Sequence, residues 1–135
     1  MIIGKAKDCL YAVNGKLLQG SETVIFRGVS INSRTIKEGE LFVCIKGENF
    51  DGHDFFGDAF RKGAAGIILS DTKNLSTGML GKGESPFVIQ SENTLRALQD
   101  LASYQRSLFP FRVIAVTGTN GKSTTKEMIA SIIET

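Results

Sequence analysis

The 135-residue sequence has no tryptophan, a single histidine and two cysteines, and it contains neither a block of like charges nor a long apolar run. Each shortage closes off a class of protein. Cys9 and Cys44 lie in the apolar contexts DCLYAV and LFVCIK, with no CxxC spacing and no histidine beside them. They read as buried free thiols, not as a disulfide or a metal site. The 16 Lys and Arg and 14 Asp and Glu are spread along the chain, for a formal charge of +2. Nucleic-acid-binding domains concentrate their basic residues, so no nucleic-acid partner is expected. The start, MIIGKAKDCLYAV, has no basic stretch leading into a long apolar one, and no segment approaches the roughly 18 apolar residues of a membrane span. The expectation is a cytoplasmic protein without a membrane partner.

What is present is the make-up of a soluble globular protein, 41% hydrophobic and 22% charged, long enough for one core and part of a second. Residues 5–13 suit a short helix, Asn14-Gly15 a turn leading into residues 16–19, and residues 23–28 a strand. The run ELFVCIK (40–46) has the continuous apolarity of a strand buried on both faces. Residues 54–62 place Phe56, Ala59 and Phe60 on one helical face, with Asp51 or Asp54 as N-cap and Gly63 as stop. AGIIL (65–69) supplies another buried strand, so strand, helix and strand occur within one βαβ length. Residues 71–86 lose the apolar pattern and read as a mobile loop or hairpin. A strand at 87–90 follows, and then a helix with Leu95, Leu98, Leu101 and Ala102 on one face. The fold class expected is α/β. A small mixed-sheet domain occupies residues 1–90, and residues 91–135 begin a parallel-sheet, P-loop ATPase-type domain.

The chemistry-bearing segment lies near the end. RVIAVT (112–117) is a β-branched strand, GTNG (118–121) breaks it, and KSTTKEMIASIIET resumes with helical spacing of Met128, Ile129, Ile132 and Ile133. Strand, glycine loop and helix are what a phosphate-binding loop requires. Glycines let successive N–H groups point into one concavity, and the new helix presents its unpaired N–H groups to the same anion. Thr117, Gly118, Thr119, Asn120, Gly121, Lys122, Ser123 and Thr124 are the candidate ATP-phosphate contacts. Lys122 is the candidate catalytic cation, and Ser123 the candidate Mg2+ ligand through its hydroxyl. The generic GxxxxGK[ST] pattern is imperfect, because Val116 stands where its first glycine belongs.

The segment VTGTNGKSTTKEMIA resembles the ATP-binding loop of the Mur ligase family, whose loops read TGTNGK or TGSNGK, and this accounts for the imperfect pattern. Residues 30–71 are similar to the first domain of the members that add the third residue or the terminal dipeptide to the peptidoglycan precursor. SR, GELF, KGE, DGH and GAAG occur there in the family's order. SENTLRALQDLASYQR with TTKEMI is more similar to the dipeptide-adding branch. Asn32 departs from the aspartate that usually precedes Ser-Arg.

The resemblance implies the front part of an ATP- and Mg2+-dependent ligase. In that family ATP phosphorylates the carboxylate of a UDP-N-acetylmuramoyl-peptide, and an amine, here D-alanyl-D-alanine, attacks the acyl phosphate. It implies UDP-substrate contacts at Ser33 and Arg34, facing a loop of Lys46, Gly47, Glu48, Asn49, Asp51, Gly52 and His53. The dipeptide's own site, the acidic Mg2+ ligands and a modified lysine would lie further along than this chain extends. Simpler roles stay open beside these: Arg34 pairing with Asp51, Gly47 and Gly52 serving only turns, and His53 bonding at a helix start. Phe50 is expected in the core in preference to a base-stacking role. A stand-alone UDP-sugar-binding module without catalysis is the rival class. Residues 112–135 are expected to bind ATP weakly without the rest of their sheet, and to self-associate through their apolar surface.

Overall fold

The computed structural model describes residues 4–73, 75 and 86–108. The helix expected from residue 5 forms as α1, Ala6–Val13, preceded by the two-residue strand β1, Gly4–Lys5. Asn14 stops it in the left-handed conformation, with φ of 49°, a conformation that Asn tolerates better than most residues. The chain then enters β2, Lys16–Gln19. The strand expected over 23–28 is shorter and divided. β3, Ile25–Phe26, pairs antiparallel with β1, and β4, Val29–Ser30, joins the main sheet.

β5 (Leu41–Val43), β6 (Gly66–Leu69) and β7 (Phe87–Gln90) complete that sheet. Its order is β2-β7-β6-β5-β4. β4 through β7 are mutually parallel, and β2 lies antiparallel on the β7 edge. The fold is thus mixed α/β, as expected. Parallel strands covered on both sides read as unbroken apolar runs because alternate residues serve two cores. Leu41, Val43, Ile68, Phe87 and Ile89 face the core shared with Ala6, Cys9 and Val13 of α1. Phe42, Ile67, Leu69 and Val88 face the other, with Phe56 and Ala59 of α2, Phe56–Arg61. Gly63, with φ of 88°, follows that helix where a stop was expected.

α3, Thr94–Ser107, starts at Asn93, whose side chain accepts from Arg96 N–H at 3.0 Å. Its buried stripe is Thr94, Ala97 and Leu101, with Leu98 partly covered. Leu95 and Ala102, expected on that face, are exposed. The inward positions are mostly small because α3 lies against α1 and Ala97 leaves room there, a preference that leucine spacing does not reveal. Ala97 and Leu101 belong to the same core as α1, so packing is continuous across residue 90. Among the described residues no helix is long and apolar enough to cross a membrane. The loop expected over 71–86 lies mostly outside the described residues.

Both cysteines are buried and free. Burial first, and then the nearby charges of Asp8 and Asp51, push the Cys9 and Cys44 thiols up to about 12. Because the thiolate is the reactive form, both should resist a thiol reagent in the native protein and react at once in denaturant. An absorbance-based thiol assay with and without urea reads this directly.

β6 meets β7 with no space to spare. A methyl group added at Gly66 would stand 2.3 Å from the ring of Phe87, which is wholly buried. Gly66→Ala is expected to cost about 1–3 kcal/mol by overpacking, measured by urea unfolding. Adding Phe87→Leu should recover part of that loss.

Candidate functional site

Four parallel strands end on one edge of the sheet, and the loops leaving that edge carry the candidate residues. In open α/β sheets ligands collect at the carboxyl ends of the strands, where loops are free to present side chains. Leaving β4, Asn32 accepts Arg34 N–H on its side-chain oxygen at 2.9 Å, while its own N–H donates to Ser30 Oγ at 3.1 Å. An amide oxygen suffices for this turn, so an aspartate charge is not required. Ser33 is buried and Arg34 exposed. Lys62 Nζ donates to the carbonyls of both, at 2.7 and 3.0 Å, fixing the backbone from which they project.

After β5 the chain makes a short hairpin. Lys46 bridges antiparallel to Asp51, Gly47 N–H donates to Phe50 carbonyl at 2.7 Å, and Gly52 N–H to Ile45 carbonyl at 2.8 Å. Lys46, Gly47, Glu48, Asn49 and Phe50 are all exposed at its tip. Phe50 is 55% exposed, not in the core as expected, and stacks on Phe55 with ring centroids 4.9 Å apart. The hairpin is too short to fold the ring under the sheet. Gly52 is buried where the strand turns back, and a Cβ there would lie 2.7 Å from Ile45 N and 3.1 Å from Cys44 Cα. Its role is close backbone approach.

Asp51 caps the 3-10 turn Gly52–Asp54, accepting His53 N–H at 3.0 Å and lying 2.7 Å from His53 Nδ1 on the same oxygen. The alternative pairing of Asp51 with Arg34 is therefore not the one formed. His53, only 4% exposed, lies on its other side at the end of β6. Nε2 accepts Ser70 N–H at 3.0 Å and Asp71 N–H at 3.3 Å, and Ser70 Oγ is 3.2 Å away. Since Nε2 faces backbone donors, the proton is assigned to Nδ1, which donates to Asp51.

Ser33, Arg34, the hairpin and His53 are thus brought to one edge. Ser70, Asp71 and Lys62 also belong to it and were not singled out from sequence. Ser70 and Asp71 were findable, because they directly follow a buried parallel strand, whereas Lys62 lies 29 and 28 residues from the two carbonyls it holds and gives no signal. Further along the edge an open cleft of about 760 Å3 is lined by Asn14, Lys16, Ser70, Ser91, Arg96 and Asp100 among others. None of the expected substrate contacts lines it. Among the described residues no group of three or more His, Cys, Asp or Glu is placed to hold a metal ion. Thr117, Gly118, Thr119, Asn120, Gly121, Lys122, Ser123 and Thr124 lie outside the described residues, as does the segment expected to self-associate.

Residues 25–106 match the sequence model of the Mur ligase family, catalytic domain. The chain belongs to the Mur ligase family. It is 36% identical, over all of its length, to the UDP-N-acetylmuramoyl-tripeptide--D-alanyl-D-alanine ligase of Bacillus subtilis, covering 28% of that protein. It is 32% identical over 95% of its length to the UDP-N-acetylmuramoyl-L-alanyl-D-glutamate--2,6-diaminopimelate ligase of Clostridium perfringens, covering 25%. The chain therefore spans about a quarter of the length of these relatives. A crystal structure of MurF from Acinetobacter baumannii superposes with a TM-score of 0.80 at 28% identity, over 99% of this chain and 28% of that one. The MurF ligase of Thermotoga maritima, solved in complex with ADP, superposes at 0.63 and 34% identity over 80% of this chain and 23% of its own.

The Asp51 carboxyl is held below its ordinary value of 3.8, first by the His53 backbone N–H, then by the His53 side chain and the Lys46 charge, against an opposing effect of burial. A depressed folded value means that the unfolded chain binds the proton more readily. The contribution is complete above 3.8 and is lost as pH falls through the lower folded value. Urea midpoints taken from about pH 5 down to about pH 2 should fall for the native protein and fall less for Asp51→Asn.

Proposed function

We propose that this chain supplies the nucleotide-binding part of a ligase that adds D-alanyl-D-alanine to UDP-N-acetylmuramoyl-tripeptide at the expense of ATP. The observation that carries this reading is the meeting of Ser33, Arg34 and the exposed hairpin from Lys46 to Asn49 at one sheet edge. Each has a fitting role toward a uridine diphosphate. Arg34 and Lys46 are exposed cations suited to the diphosphate, Arg34 through paired N–H groups. Glu48 and Asn49 offer an acceptor and an amide to the polar edge of the base, and the exposed Phe50 ring offers a face for stacking. Asp51, Gly52 and the buried His53 form the base of the hairpin. Support for the dipeptide-adding branch is the 36% identity across the whole chain with the Bacillus subtilis relative.

ATP supplies the phosphoryl group that activates the substrate carboxylate. For this chain we assign Thr117 to Thr124 to the ATP phosphates, with Lys122 neutralising developing charge and Ser123 a ligand of Mg2+, on the strength of sequence pattern alone. The second reading is the third-residue-adding branch. It is favoured by 41% identity over 109 residues with the 2,6-diaminopimelate ligase of Syntrophomonas wolfei.

Calorimetric titration separates these possibilities. UDP-N-acetylmuramoyl-tripeptide should bind saturably, and Arg34→Ala should weaken it about tenfold through loss of a charge-assisted contact. On the full-length ligase, tighter binding of the tripeptide than of the dipeptide precursor supports the first reading, and the reverse order supports the second. Absence of saturable binding by any uridine nucleotide overturns both.

A further inference from the structure

His53 stands in the middle of the residues expected to face the nucleotide, yet its geometry is that of a side chain with no capacity left for a ligand. It is 4% exposed, and each ring nitrogen is already engaged by the protein. Its partners lie on two separate pieces of chain. On one side is Asp51, which closes the hairpin through its bridge to Lys46. On the other are the amides of Ser70 and Asp71, just past β6.

The place of this contact in the sheet is informative. Cys44 N–H donates to Ile68 carbonyl at 2.9 Å, the last bond by which the chain leaving β5 holds β6. In a parallel ladder the amide two residues on returns to the same residue's carbonyl, which makes Ser70 N–H the donor for Cys44. That amide goes instead to His53 Nε2. The imidazole thus replaces a rung at the point where the chain must leave the sheet to present Lys46, Gly47, Glu48, Asn49 and Phe50. The other hairpin bonds, Gly47 to Phe50 and Gly52 to Ile45, close the loop on itself and do not orient it against β6.

We infer that His53 is a positioning residue: it sets the exposed hairpin against the end of β6 and does not touch the nucleotide. The inference rests on the reading of that hairpin as the uridine-diphosphate-facing loop, and it reassigns one residue within it. Loss of the tie leaves two backbone donors near the core without their acceptor and frees the hairpin to swing, so that its contacts no longer converge.

The test uses the complete chain, UDP as probe, and two substitutions that each preserve one half of the contact. The Gln side-chain carbonyl reaches the position of Nε2, whereas the Asn side chain reaches only that of Nδ1. His53→Gln should retain slow amide hydrogen exchange at residues 70–71 and an affinity close to that of the unsubstituted protein. His53→Asn should speed exchange at residues 47–50 and 70–71 and weaken UDP about tenfold, with exchange in β5 and β6 unchanged. Equal loss of affinity in both variants with hairpin exchange unaltered identifies a direct contact and overturns the proposal, as does an Asn variant indistinguishable from wild type. Nitrogen-15 NMR of the His53 ring in the unsubstituted protein needs no variant to fold. Resonances unmoved by saturating UDP support positioning, and a shift at Nε2 overturns it. If the unsubstituted protein fails to bind UDP, the nucleotide reading falls, while the exchange comparison still decides whether His53 holds the hairpin.

Discussion

Parallel pairing of β4, β5, β6 and β7 is the constraint from which the rest of the structure follows. Register sets Leu41 opposite Gly66 and Gly66 opposite Phe87, and in a sheet a one-residue slip would exchange the two cores completely. Because the strands point the same way, every turn that follows them emerges on one side of the molecule. The turn at Asn32, the hairpin at Lys46 and the short segment at Ser70 are neighbours for that reason, although up to 38 residues separate them in sequence. Strand direction is thus what brings the candidate substrate contacts to one edge.

Much of this was legible because buried parallel strands leave a strong mark. ELFVCIK and AGIIL are continuous apolar runs bounded by glycine or charge, and each contains the strand expected of it. Caps were partly readable: Asn14 and Gly63 serve where their chemistry suggests, whereas Asp51, expected to cap α2, caps the short turn Gly52–Asp54 ahead of it, and α2 starts after Phe55 without a side-chain cap. The errors have physical causes. Leucine spacing in α3 pointed to Leu95, but close approach to α1 favours Ala97, and the strength of an apolar residue says nothing about the distance to its neighbour. Phe50 was expected inside because it is aromatic, yet a hairpin spanning only Lys46 to Asp51 holds its tip away from the core.

The candidate site was legible in its residues and not in its division of labour. SR, KGE and DGH mark loops that the sheet brings to one edge, but a motif does not distinguish a side chain free to meet a ligand from one that holds the loop. Arg34, Lys46, Glu48 and Asn49 face outward, whereas Gly52 and His53 are buried and committed to the backbone around them. Lys62 adds a tie invisible to sequence, reaching across to the carbonyls of Ser33 and Arg34. The identity of the amine substrate is blurred for a related reason. Relatives named for adding D-alanyl-D-alanine and relatives named for adding diaminopimelate match this chain with similar identity, so the comparison does not choose between the two branches.

The length of α3 decides where the described fold hands the chain on. It begins after Asn93, beside the edge that gathers the candidate residues, and its 14 residues extend about 21 Å at 1.5 Å per residue. A stiff rod of that length delivers the backbone to Leu108 well away from its starting point. Because Ala97 and Leu101 anchor α3 in the core it shares with α1, each turn added to or removed from its far end would move Leu108 by about 5 Å, making helix length a ruler for the point from which the chain continues.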